Sequence, residues 1–278
     1  MGLGVLVGHP TSNQNFRNIV DALIRAEFLV RVVTCINSSG VIICLGPFLP
    51  MEGLNELSRR SFSNSWIGLI ESHPLMETMR LVSQRLGWRW LYAKPESVFS
   101  FYSVCINFDG WMARRIKAQD IVYAYEYCAL ETFNRAEKSG VARVYDLPIA
   151  YWETGRRLMI EEARRLPSWA ATLGEGGKDS PALQARKTRE LELADMVVTP
   201  SQFVADSLPD WARASKRVVV APFGSPPVTS NAQHPTSNVQ TNRGNFACCL
   251  PARWGSARDS AICLRRCVCS SAMISSWL

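Results

Sequence analysis

The chain has 278 residues, of which 47% are hydrophobic and 20% are charged, so it can bury a sizeable globular core. Its formal net charge of +7 favours anionic partners, such as phosphate-bearing donors, acidic glycans or lipid headgroups, without selecting among them. It shows neither a secretory leader nor about eighteen continuous apolar residues, so we expect a cytoplasmic protein without a membrane-spanning helix.

The chain begins with a pattern typical of a strand and a helix. Residues 4–8 (GVLVG) predict a buried strand, and residues 15–26 predict an amphipathic helix. The loop between them leaves the end of a parallel strand and enters a helix N-terminus, where such sheets bind ligands. Gly8, His9 and Asn13 are therefore candidate substrate-binding residues. For His9 the alternative is a histidine that caps the loop. The loop is not a G-x-G-x-x-G motif, so a dinucleotide cofactor is not expected.

Residues 29–36 predict a second strand, and the region that follows combines arginines with tryptophans. Arg59, Arg80 and Arg89 lie near Trp66, Trp88 and Trp90, and residues 75–86 have near-helical spacing. One interpretation is helices packed on the sheet with their arginines in water. The other is peripheral attachment to a membrane surface through residues 37–94. We expect no nucleic-acid partner.

Two further strands are predicted to end in carboxylates. Residues 120–127 form a strand whose end carries Tyr125 and Glu126, and a helix at 129–139 follows. The next strand, 141–145, runs into Asp146. Adjacent parallel strands open into one crevice, where carboxylates can bind sugar hydroxyls, so Glu126, Asp146 and Tyr125 are candidate site residues. The alternative for Asp146 is a turn-forming residue before Pro148.

The stretch from residue 183 to residue 224 predicts a helix, a strand at 196–199, a short helix capped by Ser201 and closed by Pro209, and a strand at 217–220. Pro181 suits the first turn of the first helix. Four charged residues are expected on its water-facing side: Arg186, Lys187, Glu190 and Glu192. This alternation predicts a Rossmann-like, doubly wound and mostly parallel α/β sheet.

The same stretch resembles a known family. It reads E-L-x-x-A-D-x-V-V-x-x-S-x-F-V-x-x-S-L and then K-x-V-V-V-x-P-F-G, which resembles the end of the N-terminal domain in family 4 (group 1) glycosyltransferases of the GT-B type. The resemblance implies a hexosyltransferase that moves a sugar from a nucleotide-sugar to a glycan or lipid-linked acceptor, without a metal or another cofactor. It adds Ser201 and Gly224 as substrate-binding candidates. Many members carry a histidine where this chain has Asp146. We expect Asp146 to orient the acceptor and Glu126 to have a supporting role.

The composition changes after residue 225. Residues 226–278 contain no Lys, no Glu and a single Asp, and the end of the chain reads like a coding region translated out of frame. The spacing of Cys263, Cys267 and Cys269 does not fit a structural zinc site. We expect one acceptor-side domain at 1–225 and an irregular tail at 226–278 in place of the donor-binding domain, and therefore negligible transferase activity. The alternatives are a non-catalytic module that binds an acceptor or a membrane, and another GT-B-shaped enzyme such as a sugar-nucleotide epimerase.

Overall fold

A computed structural model describes residues 2–38, 60–62, 64–117, 119–173 and 179–223. Gly224 and the predicted tail at 226–278 lie outside the described residues. Most of the segment between 37 and 59 also lies outside them. The predicted domain boundary at residue 225 therefore stays a prediction.

The described residues form a seven-stranded sheet in which all strands are parallel. The strand order is β3-β2-β1-β4-β5-β6-β7. The predicted fold class, a Rossmann-like doubly wound α/β sheet, is confirmed. The strands are β1 (Gly4–His9), β2 (Leu29–Thr34), β3 (Ile70–Ser72), β4 (Ile121–Tyr125), β5 (Ala142–Asp146), β6 (Met196–Thr199) and β7 (Arg217–Val220).

Helices connect most of these strands, since parallel pairing needs long crossover connections, and the connection from β2 to β3 lies partly outside the described residues. In the described part they are α1 (Gln14–Arg25), α2 (Leu75–Arg85), α3 (Phe101–Ala113), α4 (Leu130–Lys138), α5 (Trp152–Arg165), α6 (Pro181–Leu193), α7 (Gln202–Asp206) and α8 (Asp210–Ser215). Short 3-10 turns occupy Asn64–Leu69, Arg89–Leu91 and Pro167–Leu173. No helix of the described part is long and apolar enough to cross a bilayer.

Local side chains set several helix boundaries. Asn13, Ser100, Ser180 and Ser201 each accept a hydrogen bond from a backbone N–H in the first turn of the helix that follows. Gly140 follows α4 with a φ of +67°, a left-handed conformation that residues with a Cβ disfavour. The predicted N-cap at Ser201 is confirmed.

Alternating strand residues supply two hydrophobic clusters, one on each face of the sheet. On one face Val122, Ala124 and Tyr145 pack with residues of α3, α4 and α6. On the other face Tyr123 and Val144 pack with residues of β1 and α1. The period of two along each strand therefore decides which face every site residue joins.

Three features differ from the sequence-based expectation. Arg186, Lys187 and Glu190 are buried or nearly so, although we expected them to face water. Pro209 does end the Ser201-capped helix, but it also precedes a further short helix, α8. The sequence did not predict α3, which packs its apolar residues beneath β1 and β4.

Candidate functional site

The sheet has a topological switch point between β1 and β4. From β1 the chain continues to β2 on one side, and from β4 it continues to β5 on the other. The loops that leave β1 and β4 therefore diverge and open a crevice at the carboxyl edge of the sheet. His9 ends β1 and Tyr125 ends β4, and their ring centroids lie 4.3 Å apart across the switch point.

The loop after β1 is held by His9, as the loop-capping interpretation predicts. The backbone N–H groups of Thr11 and Ser12 donate to its Nδ1 atom, at 3.1 Å and 2.9 Å. Because Nδ1 accepts two hydrogen bonds, the neutral ring carries its proton on Nε2. Burial lowers the pKa of His9 to about 3, so the ring is neutral at physiological pH.

Asn13 completes this loop at the N-terminus of α1. Its Oδ1 atom accepts from the N–H of Phe16 at 2.9 Å, so its amide nitrogen is left as a donor. That Nδ2 atom lies 3.4 Å from His9 Nε2, which is also a donor. Asn13 is exposed. Two neighbouring donors at a helix N-terminus suit an oxygen of a bound ligand.

Asp146 ends β5 beside Tyr125, with which it is paired in the parallel register. Alternation along β5 places its side chain on the face of Val144, the side of the sheet that carries Tyr123 and His9. The pKa of Asp146 is raised to about 7, mainly by burial; the nearby Tyr123 hydroxyl lowers it and the charge of Glu126 adds to the rise. That hydroxyl is buried and approaches the carboxyl without reaching normal hydrogen-bond geometry.

Glu126 lies next to Asp146 in the backbone but not in its side-chain environment. The Glu126 N–H donates to the Asp146 carbonyl at 3.1 Å. The Glu126 side chain points to the other face of the sheet, where it is 2% exposed and lies 3.3 Å from Lys187 Nζ. Burial raises its pKa and the Lys187 ammonium opposes that shift. The two carboxylates therefore do not share one crevice: Asp146 lies on the face of the sheet that carries Tyr123 and His9, and Glu126 is enclosed beneath α6.

A buried polar cluster on α6 fixes the turn that follows β4. Glu190 accepts from the N–H groups of Tyr127 at 2.9 Å and Ala129 at 3.2 Å, and from the Tyr145 hydroxyl at 3.2 Å. Tyr127 has a φ of +69°, which non-glycine residues rarely adopt. These bonds satisfy the amides of a turn that would otherwise be buried without partners.

The same cluster reaches α4 through Arg186. This arginine forms a salt bridge with Asp109 of α3 and donates to the Tyr127 carbonyl at 3.2 Å. Asp109 in turn accepts from the first N–H groups of α4, those of Glu131 and Thr132. One side chain of α6 thus links α3, α4 and the turn after β4.

Sequence reasoning missed these residues, although their spacing carried a signal. Lys187 and Glu190 lie four and seven residues after Leu183, which is buried, so they share its face of α6. Lys187 Nζ lies 2.7 Å from Asp179 as well as 3.3 Å from Glu126. The i, i+4, i+7 spacing therefore predicts burial even for charged residues.

The remaining candidates have structural contacts. Gly8 lies inside β1, where an added Cβ would lie 2.2 Å from Met112 Sδ, so its small size allows α3 to pack on the sheet. Ser201 uses its hydroxyl to accept from the Val204 N–H at 3.3 Å and cap α7. Gly224 is outside the described residues.

A cavity of about 680 Å³ lies at the opposite, amino edge of the sheet, at the starts of β5 and β7. Its charged groups already have partners: Arg143 pairs with Asp195, and Lys216 donates to the Glu192 carbonyl. Among the described residues no group of three or more His, Cys, Asp and Glu side chains could hold a metal ion. The candidate site is therefore the carboxyl edge, with His9, Asn13, Tyr125 and Asp146.

Comparison with known proteins gives matches among solved structures only. No family model and no curated protein sequence matches the chain. TcCGT1 in complex with UDP has 10% identity and a TM-score of 0.46 over 84% of this chain and 54% of its own. Arabidopsis thaliana UGT89C1 with UDP-L-rhamnose has 10% identity and a TM-score of 0.45 over 80% and 49%. A UDP-N-acetylglucosamine 2-epimerase has 11% identity and a TM-score of 0.40 over 80% and 48%. The chain spans about half the length of each.

Proposed function

We propose that the described domain is the acceptor-binding half of a nucleotide-sugar-dependent hexosyltransferase of the GT-B type. Its acceptor, a glycan or a lipid-linked sugar, binds at the carboxyl edge between β1, β4 and β5. The observation that supports this proposal is the convergence of His9, Tyr125 and Asp146 on one side of the switch point. The family resemblance of residues 190–224 supports the reaction class.

The chemistry of these side chains suits a sugar. An aromatic ring such as that of Tyr125 can pack against the apolar face of a pyranose, and a carboxylate such as that of Asp146 accepts hydrogen bonds from sugar hydroxyls. Asn13 Nδ2 and His9 Nε2 supply donors to a sugar or phosphate oxygen. A small number of polar groups on a partly aromatic wall is the usual composition of a small-molecule site.

The two carboxylates have different roles in this proposal. Asp146 orients the acceptor hydroxyl, and its pKa of about 7 lets it exist in either protonation state near neutral pH. Glu126 supports the site from beneath by pairing with Lys187. The proposed reaction uses no metal and no cofactor beyond the nucleotide-sugar donor. Peripheral membrane contact and a cytoplasmic location stay predictions for this chain.

To test the acceptor site, the full-length wild type is applied to a printed array of mono- and oligosaccharides. The glycan that binds best is then titrated with the wild type and with the full-length Asp146→Asn variant. We expect the variant to bind it about 10- to 100-fold more weakly, because a hydrogen bond to a charged acceptor is lost. Wild-type binding should strengthen from pH 6 to pH 8 as Asp146 ionises. Glu192→Gln, on the exposed side of α6, is the matched control. Equal affinity of Asp146→Asn and wild type would remove Asp146 from the site.

Radiolabelled UDP-glucose and GDP-mannose distinguish the possible activities of the full chain. Transfer of label to the array glycan supports a complete transferase. Glycan binding without transfer or donor binding favours a non-catalytic acceptor module. Conversion of the donor sugar without any acceptor favours an epimerase, and binding of neither donor nor glycan contradicts the proposal.

A further inference from the structure

Helix α2 and the turn after it expose a group of large apolar side chains. Leu75 is 66%, Val82 41% and Leu86 54% exposed, and they recur at helical spacing on one face. Trp88 and Trp90 follow with 45% and 77% exposure. These five residues are called the α2 apolar surface below. Exposed large apolar side chains that lie close together and are flanked by polar residues are typical of an interaction site.

The inner side of α2 contains polar residues, and part of its outer side is apolar. Its fully buried residues are Glu77 and Ser83, both polar. Glu77 forms salt bridges with Arg60 at 3.1 Å and Arg80 at 2.6 Å, so its charge is satisfied on the inner side. The helix thus directs Glu77 and Ser83 inward and exposes Leu75 and Val82, while Met76 packs against the core. This arrangement fits an outer environment that is itself apolar.

The turn after α2 is fixed to the helix. Gly87 adopts a φ of +71°, and the Trp88 N–H donates to the Ser83 carbonyl at 2.9 Å. The Ser97 hydroxyl donates to the Trp90 carbonyl at 3.1 Å, which ties the turn to the segment that leads into α3. The two tryptophans are therefore held beside the helix, so binding through them would require little ordering of the backbone.

The exposed charged residues of α2 and the turn after it, positions 74 to 95, are basic, and the exposed Glu96 lies just beyond them. Arg85, Arg89 and Lys94 are exposed. The only acidic residue between positions 74 and 95 is Glu77, which is buried and paired. A helix with apolar residues, flanking tryptophans and basic side chains suits the interface of a bilayer that contains anionic lipid. A protein partner of this charge pattern would instead need an acidic, apolar groove.

We propose that the α2 apolar surface docks on an anionic lipid bilayer, with α2 in the plane of the interface and Trp88 and Trp90 at the level of the headgroups. The basic residues supply the preference for anionic over neutral lipid. Tryptophan is enriched at this depth because its ring is apolar and its N–H is polar. This inference rests on the exposure of the apolar side chains and on the basic residues beside them, so its test does not depend on the proposed transferase activity.

The test measures co-sedimentation of the full chain with vesicles of phosphatidylcholine, with and without 30% phosphatidylglycerol. We expect binding to the anionic vesicles that weakens as salt is raised. Trp88→Ala/Trp90→Ala should lower the partition coefficient at least tenfold, since two buried rings are lost. Arg85→Gln/Arg89→Gln should lower it about 25-fold, at about fivefold for each charge.

The matched controls lie on α5, on the 3-10 turn Pro167–Leu173 and on α8. Trp169→Ala/Trp211→Ala removes two exposed tryptophans, and Arg156→Gln/Arg164→Gln removes two exposed arginines. Both should bind vesicles like the wild type, and circular dichroism confirms that each variant is folded. Equal loss in the controls, or no preference for the anionic vesicles, overturns the proposal. Concentration-dependent self-association that Trp88→Ala/Trp90→Ala abolishes overturns it in favour of a protein interface.

Discussion

For Asp146, the sequence predicts its position at the end of a strand, whereas the neighbours of its side chain depend on the tertiary structure. The pattern of strand and helix predicts that it ends a strand. Only the structure shows that it faces Tyr123 and Tyr125 while Glu126, its backbone neighbour, faces α6. His9 is a similar case: its position after β1 is evident from the sequence, whereas its role as acceptor for two loop amides depends on the fold of residues 10–13.

The raised pKa of Asp146 predicts a pH-dependent stability. Its folded-state pKa of about 7 lies above the ordinary value near 4, so folding favours the protonated form. The stabilisation of the folded state by protonated Asp146 is fully present below about pH 4 and is lost as the pH rises through 7. Asp146→Asn cannot ionise, so its free energy of unfolding should rise relative to wild type by up to about 4 kcal/mol between pH 4 and pH 8. Urea denaturation across this range measures the difference.

The shifted pKa of His9 changes the stability with pH in the opposite direction, so its effect must be separated from that of Asp146. Its pKa is lowered to about 3, so its contribution to stability is lost as the pH falls below 6.5. Because His9 is present in both proteins, the difference between Asp146→Asn and wild type largely removes it. Glu192→Gln serves as the exposed-carboxyl control. A difference that does not change with pH would show that Asp146 is well solvated in the folded protein.

At the scale of elements, α6 organises the turn after β4 through charged side chains. Glu190 accepts two buried backbone N–H groups, and Arg186 links it to α3. Burial and the charge of Asp109 raise the pKa of Glu190 to about 8, although Arg186 and the two amides oppose the shift. Such a cluster stabilises the fold only while all of its members are present, because removing one leaves the others buried without partners.

We therefore expect Glu190→Ala to be strongly destabilising. The substitution leaves the amides of Tyr127 and Ala129 without acceptors and Arg186 without one of its two carboxylates. The expected loss is about 3 to 5 kcal/mol in free energy of unfolding, measured by urea denaturation. Glu192→Ala, two residues later on the exposed side, should cost less than about 1 kcal/mol. Similar losses for the two variants would mean that the cluster does not hold the turn.

At the scale of the whole molecule, packing is uneven between helices of similar length. Helix α6 buries five residues, whereas α5 buries none. Helix α5 follows β5 directly, close to the candidate site, and exposes Leu158, Met159 and Ile160. Local stability follows the number of buried apolar contacts, so the two helices should open with different free energies.

Native-state hydrogen exchange measures this difference. We expect the backbone amides of α5 to exchange at least 100-fold faster than those of α6, after correction for intrinsic rates. The strand β4, which is paired on both sides, should be the most protected reference. Equal protection of α5 and α6 would show that α5 has a packing partner under the conditions of the experiment.

The sequence by itself determined the class of fold and many of the element boundaries. Apolar runs of strand length, capping serines and stop signals at glycine and proline act over a few residues, so they can be recognised without the tertiary structure. The strand Met196–Thr199 and the Ser201 cap are examples. The predicted activity came from the family resemblance, and it is a proposal that the described site supports.

The tertiary structure alone decided which side chains meet. Arg186, Lys187 and Glu190 looked like surface residues because charge suggests water, yet each has a partner supplied by a segment 50 or more residues away, which makes burial possible. Likewise the sequence left open whether residues 75–86 pack on the sheet or face outward, and the structure buries Glu77 and Ser83 while it exposes Leu75 and Val82. Long-range partners set burial, and sequence periodicity gives only the faces on which burial can occur.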